Sequence, residues 1–212
     1  MTWVSDHIGQ ILSYAWQHAL LSGVPLLVGL VIALPLGWTA RRYTRLYGVI
    51  IAVSGLLYTI PSLALFILMP LVLGTRILDA ANVYVAMTIY TVALLVRTVA
   101  DGLGAVPDAT RQAATAMGFK GLRRFVRVEL PLAVPVIAAG MRVAAVSNVS
   151  IVSVASLVGF PQLGFFLTEG YQRNFPLEVF VGIVGCLLLA LLFDVAIRAG
   201  SWAATPWQRV RT

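Results

Sequence analysis

Arg142 and Asp194 are ionisable residues set inside long apolar runs. A charge in such surroundings is costly, so it pairs with another group or lines a wet cavity. Arg142 lies about 15 Å along its run at 1.5 Å per residue, while Asp194 and Arg97 lie near the ends of theirs. The expectation is an ion pair of Asp194 with Arg142 or Arg97. A proton relay needs several acids along the membrane, and only Asp194 lies more than a turn inside a run, Glu178 standing at the very start of the fifth, which counts against a proton-coupled carrier. Neutral polar chemistry is concentrated in "SNVSIVSVAS", where Ser147, Ser150 and Ser153 recur every third residue. Asn148 stands beside them and Ser156 completes the row. In a helix they trace one slowly rotating face. Two readings stay open: a polar lining for a translocation path, or helix packing through small polar residues. Tyr58 and Tyr90 are further path candidates, with packing as the alternative.

Other chemistries lack their residues. No G-x-x-x-x-G-K-[ST] loop occurs, so the chain is not expected to hydrolyse ATP or to be an enzyme. His7 and His18 have no metal-ligand spacing and read as interfacial polar residues; no metal site is expected. No Ser-His-Asp or Cys-His arrangement can be drawn. Cys186, the single cysteine, reads as inert packing.

The elements that carry these residues follow from composition. Of 212 residues, 60% are hydrophobic and 11% charged, against roughly 25% charged in soluble domains. That deficit predicts an all-α membrane protein of about five transmembrane helices. The runs are Ala19–Trp38, Gly48–Met69, Ala80–Ala100, Leu132–Leu157 and Leu177–Ala199. Residues 1–18 read as an outer interfacial helix anchored by Trp3 and Trp16. Residues 19–199 form the membrane domain, with a polar loop over 101–131 and a tail over 200–212. Pro61 is expected to kink the second span. Gly140 and Ala144 form a small-xxx-small pair suited to close packing. The absence of an internal repeat counts against an inverted-repeat carrier.

Positive charge orients the spans. Arg41, Arg42 and Arg45 follow the first span. Arg97, Arg111, Lys120, Arg123, Arg124 and Arg127 lie between the third and fourth, and Arg198, Arg209 and Arg211 follow the fifth. These are twelve of the fifteen cationic residues, against Arg76 and Arg173 on the opposite side. The bias predicts an outer N-terminus and a cytoplasmic C-terminus. It accounts for the net charge of +7 without nucleic acid.

The loop from Asp108 to Pro131 is ordered. Pro107 and Asp108 suit a first helical turn, and Gly118 suits a C-terminal cap. "FKGLRRFVRVEL" then starts a second short helix with Leu122, Phe125 and Val126 on one face and Arg123, Arg124 and Arg127 around the rest. Such a helix–glycine–helix elbow could rest on anionic headgroups or dock into a groove on a cytoplasmic partner.

Its spacing resembles the membrane subunits of bacterial ABC importers, whose signature is E-A-A, three residues, G, nine residues, then I-x-L-P. Here Gln112-Ala113-Ala114, Gly118 and Val128-Glu129-Leu130-Pro131 keep every spacing, with Gln for Glu and Val for Ile. "YTIPSLALFILMP" and the run from Arg127 to Gly170 are similar to permeases for glycine betaine, choline, carnitine or proline betaine. The resemblance implies the binding-protein-dependent, MetI-like permease fold in a bacterial plasma membrane. It implies a coupling helix whose Gln112, Ala113, Ala114, Gly118, Phe119, Lys120, Arg123 and Arg124 meet a separate ATPase. Partners are then two ATPase copies carrying ATP and Mg, a second permease copy or paralogue, an external solute-binding protein and membrane lipid. This chain would hold no cofactor. A methionine-type amino-acid importer and a stand-alone carrier or channel are the alternatives.

Overall fold

The computed structural model describes residues 2–207, and Arg209 and Arg211 of the tail lie outside them. The helices are α1 Thr2–Asp6, α2 Ile8–Arg42, α3 Thr44–Thr59, α4 Ser62–Leu73 and α5 Ala80–Gly104. They continue with α6 Asp108–Ala116, α7 Gly121–Arg124, α8 Leu130–Ser153, α9 Leu163–Gln172 and α10 Pro176–Ala204. No strand occurs among the described residues. Four helical stretches are long and apolar enough to cross a bilayer: 8–42, 80–104, 121–158 and 176–204.

The separation of residues 1–18 from the first span does not occur. Only His7 interrupts the helix, and α2 then runs 35 residues to Arg42, about 52 Å at 1.5 Å per residue. Pro25 and Pro35 sit inside it without ending it. His18 is not interfacial: it is fully buried. Its Nδ1 lies 2.8 Å from Gln162 Oε1 and its Nε2 is 3.0 Å from the Val149 carbonyl. The N-terminal turn is held by aromatic packing, with Trp3 stacked on His7 and edge-on to Phe166 and Phe175.

The expected kink at Pro61 is far sharper. α3 and α4 meet at 100°, so the second expected span is a broken pair. Proline cannot donate a hydrogen bond and biases the preceding residue toward extended backbone; Ile60 obliges with φ −64° and ψ 130°. The Tyr90 hydroxyl donates to the Ile60 carbonyl left over at this break.

α9 was not expected. Gln162 caps it, its side chain accepting from the Gly164 N–H at 2.5 Å and donating to the Ser153 carbonyl at 3.2 Å. α9 folds back against α10, burying Leu163 and Phe166.

The centre of the bundle is α5, lying between α2 and α8. α2 approaches it through Gly29, Ala33 and Gly37. A Cβ on Gly37 would stand 2.6 Å from Val99 Cγ1, and one on Gly29 would collide with Thr91. On the other side Gly140 of α8 faces Thr98 with no room for a Cβ. Lipid offers apolar side chains no hydrophobic gain on association, so close backbone approach and dispersion hold such helices together.

Candidate functional site

Three groups of sequence-selected residues fall in three places. The first is the α6–α7 elbow. α6 ends at Ala116, and Gly118 takes φ +86°. The Phe119 N–H bonds to the Ala114 carbonyl at 2.9 Å and the Gly118 N–H to Thr115 at 3.0 Å. Only glycine adopts that left-handed conformation without a Cβ penalty. Gln112, Ala113, Gly118, Lys120 and Arg123 are exposed. Ala114, expected at the docking surface, is instead buried inside the chain. Arg124 is likewise occupied, donating to Glu129 at 2.6 Å and to Thr115 Oγ1 at 2.9 Å. Phe125 does not share a face with Leu122 and Val126. It is buried against Trp38, ring centroids 5.4 Å apart, while Leu122 and Val126 stay exposed.

The reason is a wide helical turn. Phe125–Glu129 is π-helical, and the Leu130 N–H bonds to the Phe125 carbonyl. Pro131 follows; in a regular helix its ring would press on the carbonyl four residues back. The wider turn relieves this and brings residues five apart into line, which aligns Arg124 with Glu129. Sequence periodicity at 3.6 could not foresee it. Sequence reasoning also missed Met117, 70% exposed beside Gly118, while Leu122, read from sequence as part of an apolar face, is 64% exposed; a large apolar side chain at a turn was the available signal for Met117.

The second group is on α8, whose two faces differ. Asn148 is buried; its side-chain amide donates to the Ser22 carbonyl at 3.1 Å and to Thr91 Oγ1 at 2.9 Å. It ties α2, α5 and α8 together and does not share the outward face of its neighbours. Ser150 is exposed and Ser147 and Ser153 are half-buried. Ser153 donates to the Ser150 carbonyl at 2.6 Å and Ser156 to the Ser153 carbonyl at 2.8 Å. Val143 and Val146 continue this outward stripe. Tyr90 is buried with its hydroxyl engaged at the α3–α4 break, and Tyr58 packs edge-on against it at 5.9 Å.

The third group is ionic. Asp194 of α10 accepts from Arg142 of α8 and, on its other oxygen, from Arg198 at 2.8 Å. Arg97 is not its partner; it faces Asp101 at 3.7 Å. One carboxylate thus holds two guanidiniums between two spans, a fixed charge cluster rather than a chain of acids.

Among the described residues, no group of three or more His, Cys, Asp or Glu side chains that could hold a metal ion accompanies these groups. The geometry offers an outward elbow, an outward polar stripe and a tightly packed core. Comparison with known proteins adds the family. The chain is 31% identical over 206 residues to the osmoprotectant import permease protein OsmW of Salmonella typhimurium (strain LT2), spanning 95% of this chain and 94% of that protein. It is 30% identical over 197 residues to the glycine betaine/carnitine/choline transport system permease protein OpuCD of Bacillus subtilis (strain 168), covering 92% and 85%. It is 28% identical over 198 residues to that organism's choline transport system permease protein OpuBB, covering 93% and 90%. Among solved structures, a chain of the MetNI methionine ABC transporter in an inward-facing conformation superposes with a TM-score of 0.84 at 21% identity, covering 94% of this chain and 98% of that one; this likeness concerns the fold. The family model for the binding-protein-dependent transport system inner membrane component matches residues 26–200. With that match over most of its length, the chain belongs to this family of multi-pass permease subunits.

Proposed function

We propose that this permease imports osmoprotectants of the betaine, choline and carnitine type, driven by a separate ATPase. The observation that carries the reading is the near full-length similarity to permeases named for those solutes. The bias of positive charge supports a cytoplasmic elbow and C-terminus with the N-terminus outside. Two ATPase copies, binding ATP and Mg, then grip two permeases at Gln112, Ala113, Gly118, Phe119, Lys120 and Arg123. Met117 and Leu122 add apolar contact on either side of the glycine. Closure of the ATPases pushes the elbows, and the long helix from Gly121 to Val158 carries the movement into the membrane. Ser147, Ser150 and Ser153 give a neutral polar face to the path between the two permeases. A trimethylammonium head needs weak, uncharged contacts to leave again. Selection occurs in an external solute-binding protein, where aromatic groups can cage the cation.

Uptake of labelled glycine betaine in cells lacking other importers tests this. The wild-type gene cluster restores uptake. Gly118→Asp abolishes it and releases the ATPase on purification, with the permease itself still folded. Intact uptake and intact ATPase association in that variant would sink the reading.

A further inference from the structure

A cavity of about 490 Å³ lies between the C-terminal end of α2 and the elbow. Four arginines reach it: Arg41, Arg42, Arg111 and Arg124, against one carboxylate, Glu129. Glu129 already accepts from Arg124, and Arg111 is held by Asp108 at 2.8 Å and by the Leu103 carbonyl at 2.5 Å. Even with Asp108 counted, two positive charges remain uncompensated. They belong to Arg41 and Arg42. Arg42 lies over the Trp38 ring at 5.2 Å, and the Arg41 side chain has no ion pair or hydrogen bond among the described residues. A half-open cavity with surplus guanidinium is built for an oxyanion, and guanidinium forks match phosphate oxygens.

The surroundings identify what carries the phosphate. Leu27, Val31 and Trp38 lie within about 40° of one another around α2 at 100° per residue. Leu27 and Val31 are exposed, so an outward apolar stripe leads straight to the cavity. A second, almost wholly apolar groove of about 330 Å³ opens between α2, α8 and α10. Leu34 lines it one turn before Trp38, and Leu130 lines it next to Glu129. A basic cavity followed one turn deeper by an apolar groove has the polarity profile of a phospholipid at an interface.

We propose that this cavity binds the phosphate of an anionic phospholipid headgroup, with an acyl chain in the neighbouring groove. The site does not depend on which solute the permease carries. It clamps α2, α6 and the start of α8 together at the base of the elbow.

Native mass spectrometry of the full chain in detergent tests it with three probes: phosphatidylglycerol, phosphatidylcholine and inorganic phosphate. Phosphatidylglycerol should stay bound after the other two are lost. Arg41→Gln combined with Arg42→Gln should weaken it about twenty-five-fold, at roughly fivefold per arginine. Arg76→Gln with Arg173→Gln, remote from the cavity, should not. Leu34→Trp should lower lipid retention with the arginines intact. Equal retention of both lipids, or wild-type retention in the double arginine variant while it remains folded by circular dichroism, overturns the proposal. So does retention of inorganic phosphate alone, which would assign a free anion. Loss of ATPase association with unchanged lipid binding would also overturn it, in favour of an acidic protein partner.

Discussion

Gly140 and Gly118 sit twenty-two residues apart, each among small and apolar neighbours, and they do opposite things. A Cβ on Gly140 would strike Thr98, whereas a Cβ on Gly118 would meet no atom within 4 Å. Gly140 is small so that two helices can touch. Gly118 is glycine because its φ of +86° demands it, and the space around it is open. The same contrast runs through the regions they belong to. Between α2, α5 and α8, the Asn148 amide is consumed inside the chain by the Ser22 carbonyl and Thr91, although the buried Ser22 hydroxyl has no hydrogen-bond partner among the described residues. Around the elbow, Gln112, Met117, Lys120 and Leu122 are turned outward. The partners of Asn148 are therefore found within the chain, while the outward elbow residues face solvent.

Substitutions measure how far the contrast holds. Gly140→Leu should have the largest effect on the chain itself, about 3 kcal/mol from overpacking, read as folded yield and thermal midpoint in detergent. A midpoint within a degree of wild type would mean that α5 and α8 can separate, and the contrast would lose its closed side. Asn148→Leu removes two hydrogen bonds between spans and should cost about 1.5 kcal/mol. Ser150→Ala, half a turn on, should stay below about 0.5 kcal/mol. Equal effects of the two would erase the distinction between the faces of α8. Gly118→Ala should cost the fold only about 1 kcal/mol, the penalty of a left-handed non-glycine residue. Its effect on ATP-driven uptake should be larger than on the midpoint. If uptake merely tracks stability, the elbow is an ordinary turn.

Much of the architecture was legible. Hydropathy located the four unbroken spanning stretches, its second run fell on the bent α3–α4 pair, and charge deficit pointed away from a soluble fold. The elbow could be read because its signals are local: Pro107 at a helix start, Gly118 at a cap, nine residues to "VELP". Gly29, Ala33 and Gly37, spaced at four, were also open to reading as a small-residue seam but stand among larger apolar residues that hide them. The 100° break at Pro61 was underestimated because proline alone signals a kink, whereas the bend also depends on how α3 and α4 pack on α5, where Tyr90 donates to the Ile60 carbonyl.

Other features had no local signal. His18 looked interfacial, and its burial depends on Gln162, 144 residues away. The choice of Arg142 over Arg97 for Asp194 depends on which spans are neighbours. Phe125 turned inward because a π-helical turn before Pro131 broke the expected period.

By itself the sequence determined what is governed by composition and short-range geometry: the spans, their charge asymmetry and the cap at Gly118. Tertiary structure decided which side of each span faces protein. The physical reason is the solvent. In water, hydrophobicity marks the buried face; in a bilayer both faces of a helix can be apolar, as exposed Val143 and buried Ala144 show on α8. Burial is then set by fit between backbones and by where a polar side chain finds a partner, and both exist only once the helices have met.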